Sequence, residues 1–318
     1  MIDVVALGEL LIDFTCQSTD ADGYPTMAAH PGGAPANFLA ALAKYGKKTA
    51  LLGKVGTDAF GRLLAGTLEK AGIETRGLLM AEDQFTTLAF VTLDAAGDRE
   101  FSFARKPGAD TCLSFEELDL SLIDEARVFH FGTLSLTDDP ARTATQKAVA
   151  YAKAQGKRIT FDPNLRKPLW KNLADAKEQM LWGLSQADVV KISDEEVDFL
   201  FGLAPEAGAK YIHETCGVPL VFVTCGADGC VYQNAVASGH VPGLSGLAVM
   251  DTTGAGDIFG GSVVHRILDL PGDPATLSDA QLRDAVRFAC TAAGLSTTRP
   301  GGISSVPELA DVMARMEE

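Results

Sequence analysis

The chain has 318 residues, 27 basic against 42 acidic side chains and a formal net charge of −15. A hydrophobic share of 47% against 22% charged excludes intrinsic disorder, and at about 150 residues per domain the length fits two domains or one large α/β domain with an insertion. The acidic balance argues against a nucleic-acid partner, which needs clustered Lys and Arg, but leaves an anionic small substrate open.

Short apolar runs alternate with longer amphipathic stretches along the chain. Val4–Leu7 is an expected strand, and Pro35–Lys44 an expected helix with Pro35 near its start and Gly46 past its end. Ala50–Val55 reads as a strand. Asp58 then caps a helix through Lys70, closed by Gly72. Thr86–Phe103 breaks the rhythm: two alternating segments meet at Ala95-Ala96-Gly97-Asp98, the pattern of an antiparallel hairpin. It is expected to pair with strands near Ile12–Cys16 and Tyr24–Ala28 as a small separate sheet. Thr137–Gln155 reads as a long helix, Ile159–Phe161 and Ala187–Ile192 as short buried strands, and Pro219–Thr224 as a parallel strand covered on both faces. Helices over Ala255–Leu268 and Asp279–Thr297 close the chain. Strands separated by helices imply βαβ units in a mostly parallel sheet between helix layers.

No apolar run approaches the roughly 18 residues of a membrane span, and MIDVVALGELLIDF lacks the basic start of a signal peptide. Cys16, Cys112, Cys216, Cys225, Cys230 and Cys290 form no C-x-x-C and read as reduced thiols. The expected compartment is the cytoplasm, with no membrane partner.

Three segments carry chemistry. In Asp251-Thr252-Thr253-Gly254-Ala255-Gly256-Asp257 a glycine-rich turn opens a helix, whose unpaired amides suit an anion. Asp257 in its first turn reads equally as a favourable N-terminal charge or as a general base. In His30-Pro31-Gly32-Gly33-Ala34-Pro35-Ala36-Asn37 a diglycine precedes a helix holding Asn37, a poor helix former that needs a partner. In Val223-Thr224-Cys225-Gly226-Ala227-Asp228-Gly229-Cys230 a buried strand enters a turn, either a plain β-turn or a nucleotide-phosphate loop.

In this order, and with Gly8 and Asp13 near the start, these segments resemble the ribokinase-like (PfkB) carbohydrate kinases over essentially the whole chain. The resemblance implies one kinase domain over residues 1–318, with a small β lid from residues 12–30 and 86–106. Gly32-Gly33-Ala34-Pro35-Ala36-Asn37 and Arg105-Lys106-Pro107-Gly108-Ala109-Asp110 resemble fructokinases in particular. Phe161-Asp162-Pro163-Asn164-Leu165-Arg166-Lys167-Pro168-Leu169-Trp170 fits them too, and also fits 2-keto-3-deoxygluconate kinases.

The implied activity is ATP-dependent phosphorylation of a sugar, D-fructose to fructose 6-phosphate, with ATP and Mg²⁺ required. Asp257 would be the base, and Gly254, Ala255 and Gly256 the anion hole. Asp13, Gly32, Gly33, Asn37, Arg105 and Arg166 would meet the sugar, Arg105 reaching in from the lid; a solvent-exposed arginine is the other reading of Arg105, and a salt-bridged structural one that of Arg166. Lys191, Glu196, Thr224, Gly226, Gly229 and Cys290 would lie along the nucleotide. Ser193 stands where the family's Asn-x-x-Glu motif has Asn, and Cys290 where many relatives have Asn near the adenine. Asp251 and Thr253 resemble a monovalent-cation (K⁺) site, with a simple turn cap as the other reading of Asp251. A homodimer through the lid is also expected. A 2-keto-3-deoxygluconate kinase is the alternative enzyme, and a non-catalytic sugar-binding sensor the alternative of another class. His130, Trp170 and Trp182 read as packing residues.

Overall fold

A computed structural model describes residues 1–93 and 99–317. The expected turn at Ala95-Ala96-Gly97-Asp98 lies outside the described residues. Among the described residues, ten strands form the main sheet. From one edge they run Ser238–Val241, Cys230–Gln233, Leu220–Thr224, Val189–Ser193, Arg158–Asp162, Ala126–Gly132, Ile2–Leu7 and Thr49–Gly56, which pairs with both Ile73–Glu74 and Leu78–Ala81. Pairing is parallel throughout, except at the two strands of the Cys230 edge.

The alternation of side chains along a strand divides the apolar runs between two cores. Val4 and Ala6 face one layer while Val5 and Leu7 face the other; Leu220 and Phe222 divide from Val221 and Val223 in the same way. Helices Ala34–Lys44, Ala255–Leu268 and Asp279–Ser296 cover the first face, and Ala141–Ala154, Leu173–Gln186 and Pro205–Glu214 the second. Each fully buried side chain such as Phe222 contributes roughly 1.5–3 kcal/mol relative to exposure. No helix among the described residues is long and apolar enough to cross a membrane.

Several expected boundaries shift: the strand near Tyr24–Ala28 runs Pro25–Gly32, and the strand expected from Ala187 begins at Val189. The helix expected from Thr137 begins at Ala141, after a short 3-10 turn at Leu134–Leu136. Pro140 disfavours helical backbone at Asp139, and the Thr137 hydroxyl is turned back onto the Leu134 carbonyl.

The second sheet has four strands in the order Pro25–Gly32, Leu11–Thr19, Leu88–Leu93, Arg99–Ala104. Its outer pairs are antiparallel hairpins, and its central pair is parallel, with Ile12 beside Leu88. Two clamps fix its root. Asp58 caps helix Ala59–Lys70 through the Phe60 and Gly61 amides and also accepts from the Thr86 amide at 2.8 Å and hydroxyl at 3.0 Å. Asp110 accepts from Thr87 and from Arg105 Nε at 2.8 Å.

Candidate active site

The carboxyl ends of the central strands converge with two helix N-termini, the place where open α/β sheets bind ligands. Helices Ala34–Lys44 and Ala255–Leu268 pack closely because Gly261 lies against the Phe38 backbone; a Cβ there would sit 2.3 Å from the Phe38 carbonyl oxygen. That approach brings Asn37 and Asp257, both buried, within hydrogen-bonding reach. Asn37 Nδ2 donates to Asp257 Oδ2 at 2.9 Å. The Asn37 Oδ1 atom is buried without a partner.

Gly254, in the left-handed region at φ 74°, is the N-cap of helix Ala255–Leu268. It lies between two cavities. The first, of about 140 Å³, is lined by Glu9, Asp13, Asn37, Asn164, Arg166 and Asp257, with Gly33, Thr253 and Gly254 at its walls. Leu11 and Val91 of the small sheet also line it, with Phe103 and Leu134. The second is a groove of about 690 Å³ along Lys191, Thr224, Gly226, Gly229, Ala255, Gly256 and Cys290. A junction of about 240 Å³ joins them, sharing Arg166, Gly254 and Asp257 with the first and Lys191, Ser193 and Gly256 with the second.

Burial dominates the electrostatics. It raises the Asp257 carboxyl above its ordinary range, opposed by Lys191, by the Asn37 hydrogen bond and by Arg166. Burial pushes Asp13 up to about 7 despite Arg166, with Asp257 and Asp251 adding to the rise. Glu9 also rises to about 7 through burial, opposed by hydrogen bonds to its own amide and to that of Ala34. Lys191 is held charged against burial by Asp162, Glu196 and Asp257.

The expected residues fall into two groups. Asp13, Gly33, Asn37, Arg166, Gly254 and Asp257 share the smaller cavity, and Lys191, Thr224, Gly226, Gly229, Ala255, Gly256 and Cys290 share the groove. Gly32 lies against Asp13, whose Oδ2 would be 2.1 Å from a Cβ at that position. Glu196 lines the junction with both oxygens engaged. It accepts from the Leu165 amide at 2.6 Å and closes a capping box with Ser193, so the Ser193 substitution serves as a helix cap.

Arg105 is a correction. Its side chain is 2% exposed, paired with Asp110 at 2.7 Å and bonded to the Thr137 hydroxyl and the Leu134 carbonyl, both at 2.8 Å. These acceptors take up the guanidinium at the root of the sheet, so it does not reach inward as a lid residue. Asp251 behaves as a turn cap, accepting from the Thr253 amide and hydroxyl and from the Gly301 amide. His130 packs face to face on Phe38 at 3.8 Å, Trp170 is buried, and Trp182 packs edge-on against Phe131.

Sequence reasoning missed Glu9, Asp162 and Asn164. Glu9 was hidden inside an apolar run that reads as strand and core. Its carboxylate accepts the Ala34 amide at 2.9 Å, tying the first strand's end to the start of helix Ala34–Lys44. Asn164 adopts a left-handed backbone, φ 46°, a conformation Asn tolerates and that its place after Pro163 could have suggested.

Gly302 supplies a test of how Asn37 is held. A Cβ there would lie 2.2 Å from Asn37 Oδ1. Gly302→Ala is expected to fold, because its backbone lies at φ −91°, and to displace the Asn37 amide from Asp257. Catalytic turnover should fall while the melting temperature changes little; unchanged turnover would show that the Asn37 contact is dispensable.

A family model described as pfkB family carbohydrate kinase matches residues 1–309. The chain is 40% identical over 320 residues to fructokinase-2 of Solanum lycopersicum, covering 99% of this chain and 96% of that one. Among solved structures, fructokinase from Xylella fastidiosa with bound ATP aligns at a TM-score of 0.90 and 31% identity, covering 100% of this chain and 99% of that one. Fructokinase from Vibrio cholerae O395 in its fructose-, ADP- and calcium-bound form aligns at 0.87 and 31%, covering 99% of each chain. With a parallel sheet between helix layers, a four-stranded side sheet and a glycine-led helix between two cavities, the chain belongs to the pfkB family of carbohydrate kinases.

Proposed function

We propose that the protein transfers the γ-phosphoryl group of ATP to D-fructose, giving fructose 6-phosphate and ADP. The observation that carries this reading is the N-terminus of helix Ala255–Leu268, set between a small cavity rich in carboxylates and a long glycine-lined groove. The relatives named above are fructokinases, one solved with ATP and one with fructose, ADP and calcium ion.

In this mechanism the sugar occupies the smaller cavity and the nucleotide the groove. Asp257 takes the proton from the 6-hydroxyl as its oxygen attacks the γ-phosphorus and the bond to the β-phosphate oxygen breaks. Its raised pKa favours that acceptance. The amides of Gly254, Ala255 and Gly256 stabilise charge on the transferring phosphoryl group. Asp13 and the unpartnered Asn37 Oδ1 accept sugar hydroxyls, Gly32 and Gly33 lie along the sugar, and Arg166 stands at the junction. Thr224, Gly226 and Gly229 flank the phosphates and ribose, and Cys290 the base.

Mg²⁺ carried by the nucleotide would neutralise phosphate charge, with Lys191 at the phosphate end of the groove and Glu196 lining the junction beside it. The K⁺ assignment fits less well. The carboxylate of Asp251 already closes its own turn and accepts the Gly301 amide, while the Thr297 carbonyl accepts the amides of Met250 and Asp251. No step is derived through such an ion. The open edge of the small sheet, with Tyr24 71% exposed beside it, is where a second copy would pair.

A keto-acid substrate is disfavoured by charge. Among the described residues, Glu9, Asp13 and Asp257 line the sugar cavity with one cation, Arg166, since Arg105 is committed to Asp110. A polyol supplies donors to these carboxyls as they ionise, whereas a carboxylate substrate is repelled by whichever of them are ionised. A panel of fructose, 2-keto-3-deoxygluconate and ribose with MgATP tests this. Fructose should give the highest kcat/KM; preference for the keto acid would overturn the reading, and ATP turnover with none of them would favour a sensor.

The raised carboxyls make sugar binding pH-linked. At pH 6 Asp13, with a pKa of about 7 in the free protein, is mostly protonated. Hydroxyls donating to it favour the ionised form, so binding lowers its pKa and releases protons. Calorimetry at pH 6 in two buffers of different ionisation enthalpy should show net proton release on adding fructose. The release should vanish well above pH 7, and uptake instead of release would contradict the arrangement.

A further inference from the structure

Beside the reacting helix lies a buried ion pair, Asp162 with Lys191, of which the mechanism above uses only the lysine and leaves Asp162 without a role. Asp162 ends strand Arg158–Asp162 and Lys191 lies in the neighbouring parallel strand Val189–Ser193. The register, Thr160 beside Val189 and Phe161 beside Val190, sets them next to each other. Lys191 Nζ lies 3.1 and 3.3 Å from the two Asp162 oxygens, and the side chains are 11% and 8% exposed. A buried pair of this kind is weak support for stability, because desolvation offsets its attraction. Its surroundings point to chemistry instead. Lys191 lines both the groove and the junction, and its ammonium crowds Gly256, where a Cβ would sit 2.9 Å from Nζ.

Three carboxylates compete for this one ammonium. Glu196 is occupied by the Leu165 and Ser193 amides, and Asp257 acts on Lys191 without forming an ion pair. On the other side His130 is buried and neutral, its pKa down at about 3. We propose that Asp162 is a positioning residue that holds the Lys191 ammonium against the N-terminus of helix Ala255–Leu268 and away from Asp257. Resting on the kinase reading above, this keeps a fixed positive charge at the transferring phosphoryl group and leaves the base unquenched. Without Asp162 the flexible lysine stem would turn to Asp257 and pair with it, removing both effects.

A double-mutant cycle tests this. Asp162→Asn should lower kcat about 10- to 100-fold, the order of losing one preorganised electrostatic contact. In a Lys191→Met background the same change should cost no more than about twofold. An equal loss in both backgrounds would overturn the proposal. If Asp162→Asn alone fails to fold, the double variant, which buries no unpaired charge, is compared with Lys191→Met, and a loss beyond about twofold there overturns the proposal. The cycle is also read on the Kd of a non-hydrolysable ATP analogue with Mg²⁺. Asp162→Asn should shift that affinity only when Lys191 is present, and equal shifts or none in either background count against the proposal. This readout needs no turnover, so a failure to phosphorylate fructose would sink the kinase reading alone.

Discussion

Asp257→Asn is expected to yield a folded protein that binds sugar and MgATP but has lost about 10²- to 10⁴-fold in kcat, the usual worth of general-base assistance. The substitution keeps the shape of the side chain and its place beside Asn37, whose amide donates to Oδ2 at 2.9 Å. It removes the proton acceptor and a buried charge together. Folding should therefore be unharmed or slightly improved, since burial disfavours the ionised carboxylate in the first place. Steady-state kinetics with fructose, with the Kd of each ligand from calorimetry, separates the outcomes. Turnover near that of the wild type would be fatal to Asp257 as base. Loss of sugar binding alongside kcat would make it a ligand of the sugar instead.

The second large effect lies away from the chemistry. Asp110→Ala leaves the Arg105 guanidinium, 2% exposed, without its ionic partner and deprives Thr87 of an acceptor. Breaking a buried pair from one side costs about 3–5 kcal/mol, a large part of the stability of most proteins. Urea denaturation should show a loss of that size. Removing both charges, as in Asp110→Leu with Arg105→Met, should cost less because no charge is left buried and unpaired. If an Arg105 variant instead kept its stability and raised only the KM for sugar, the side chain would have to reach the substrate after all.

The fate of Arg105 shows where sequence reading stops. The run Arg105–Asp110 displays a cation just past a hairpin strand, and local spacing suits a lid residue. Its destination is set by Thr137 and the Leu134 carbonyl, groups from another part of the fold. Lys191 was in view as a site residue and Asp162 was not, because only strand adjacency makes them a pair. Glu9 reads as an interruption of an apolar run until helix Ala34–Lys44 is placed against it. By contrast, the central strands were legible because burial on both faces demands unbroken apolar runs, and helix Ala255–Leu268 matched its expected limits because glycines bound its start. Asn37 was legible as a residue in need of a partner, although nothing local named Asp257.

The topology of the small sheet also bears on how the molecule assembles. Its two hairpins are local, but the pairing that makes them one sheet joins Ile12 to Leu88 in parallel, across the whole of helix Ala59–Lys70 and the strands around it. A lone hairpin is marginal in water, so neither half persists until that long loop has closed, and loop closure depends on strand Thr49–Gly56 having entered the main sheet. The stability of the small sheet is therefore tied to closing that long loop, and hydrogen exchange should report its two hairpins opening together. Until the segment from Leu88 onward has been made, strand Leu11–Thr19 has no parallel neighbour to pair with.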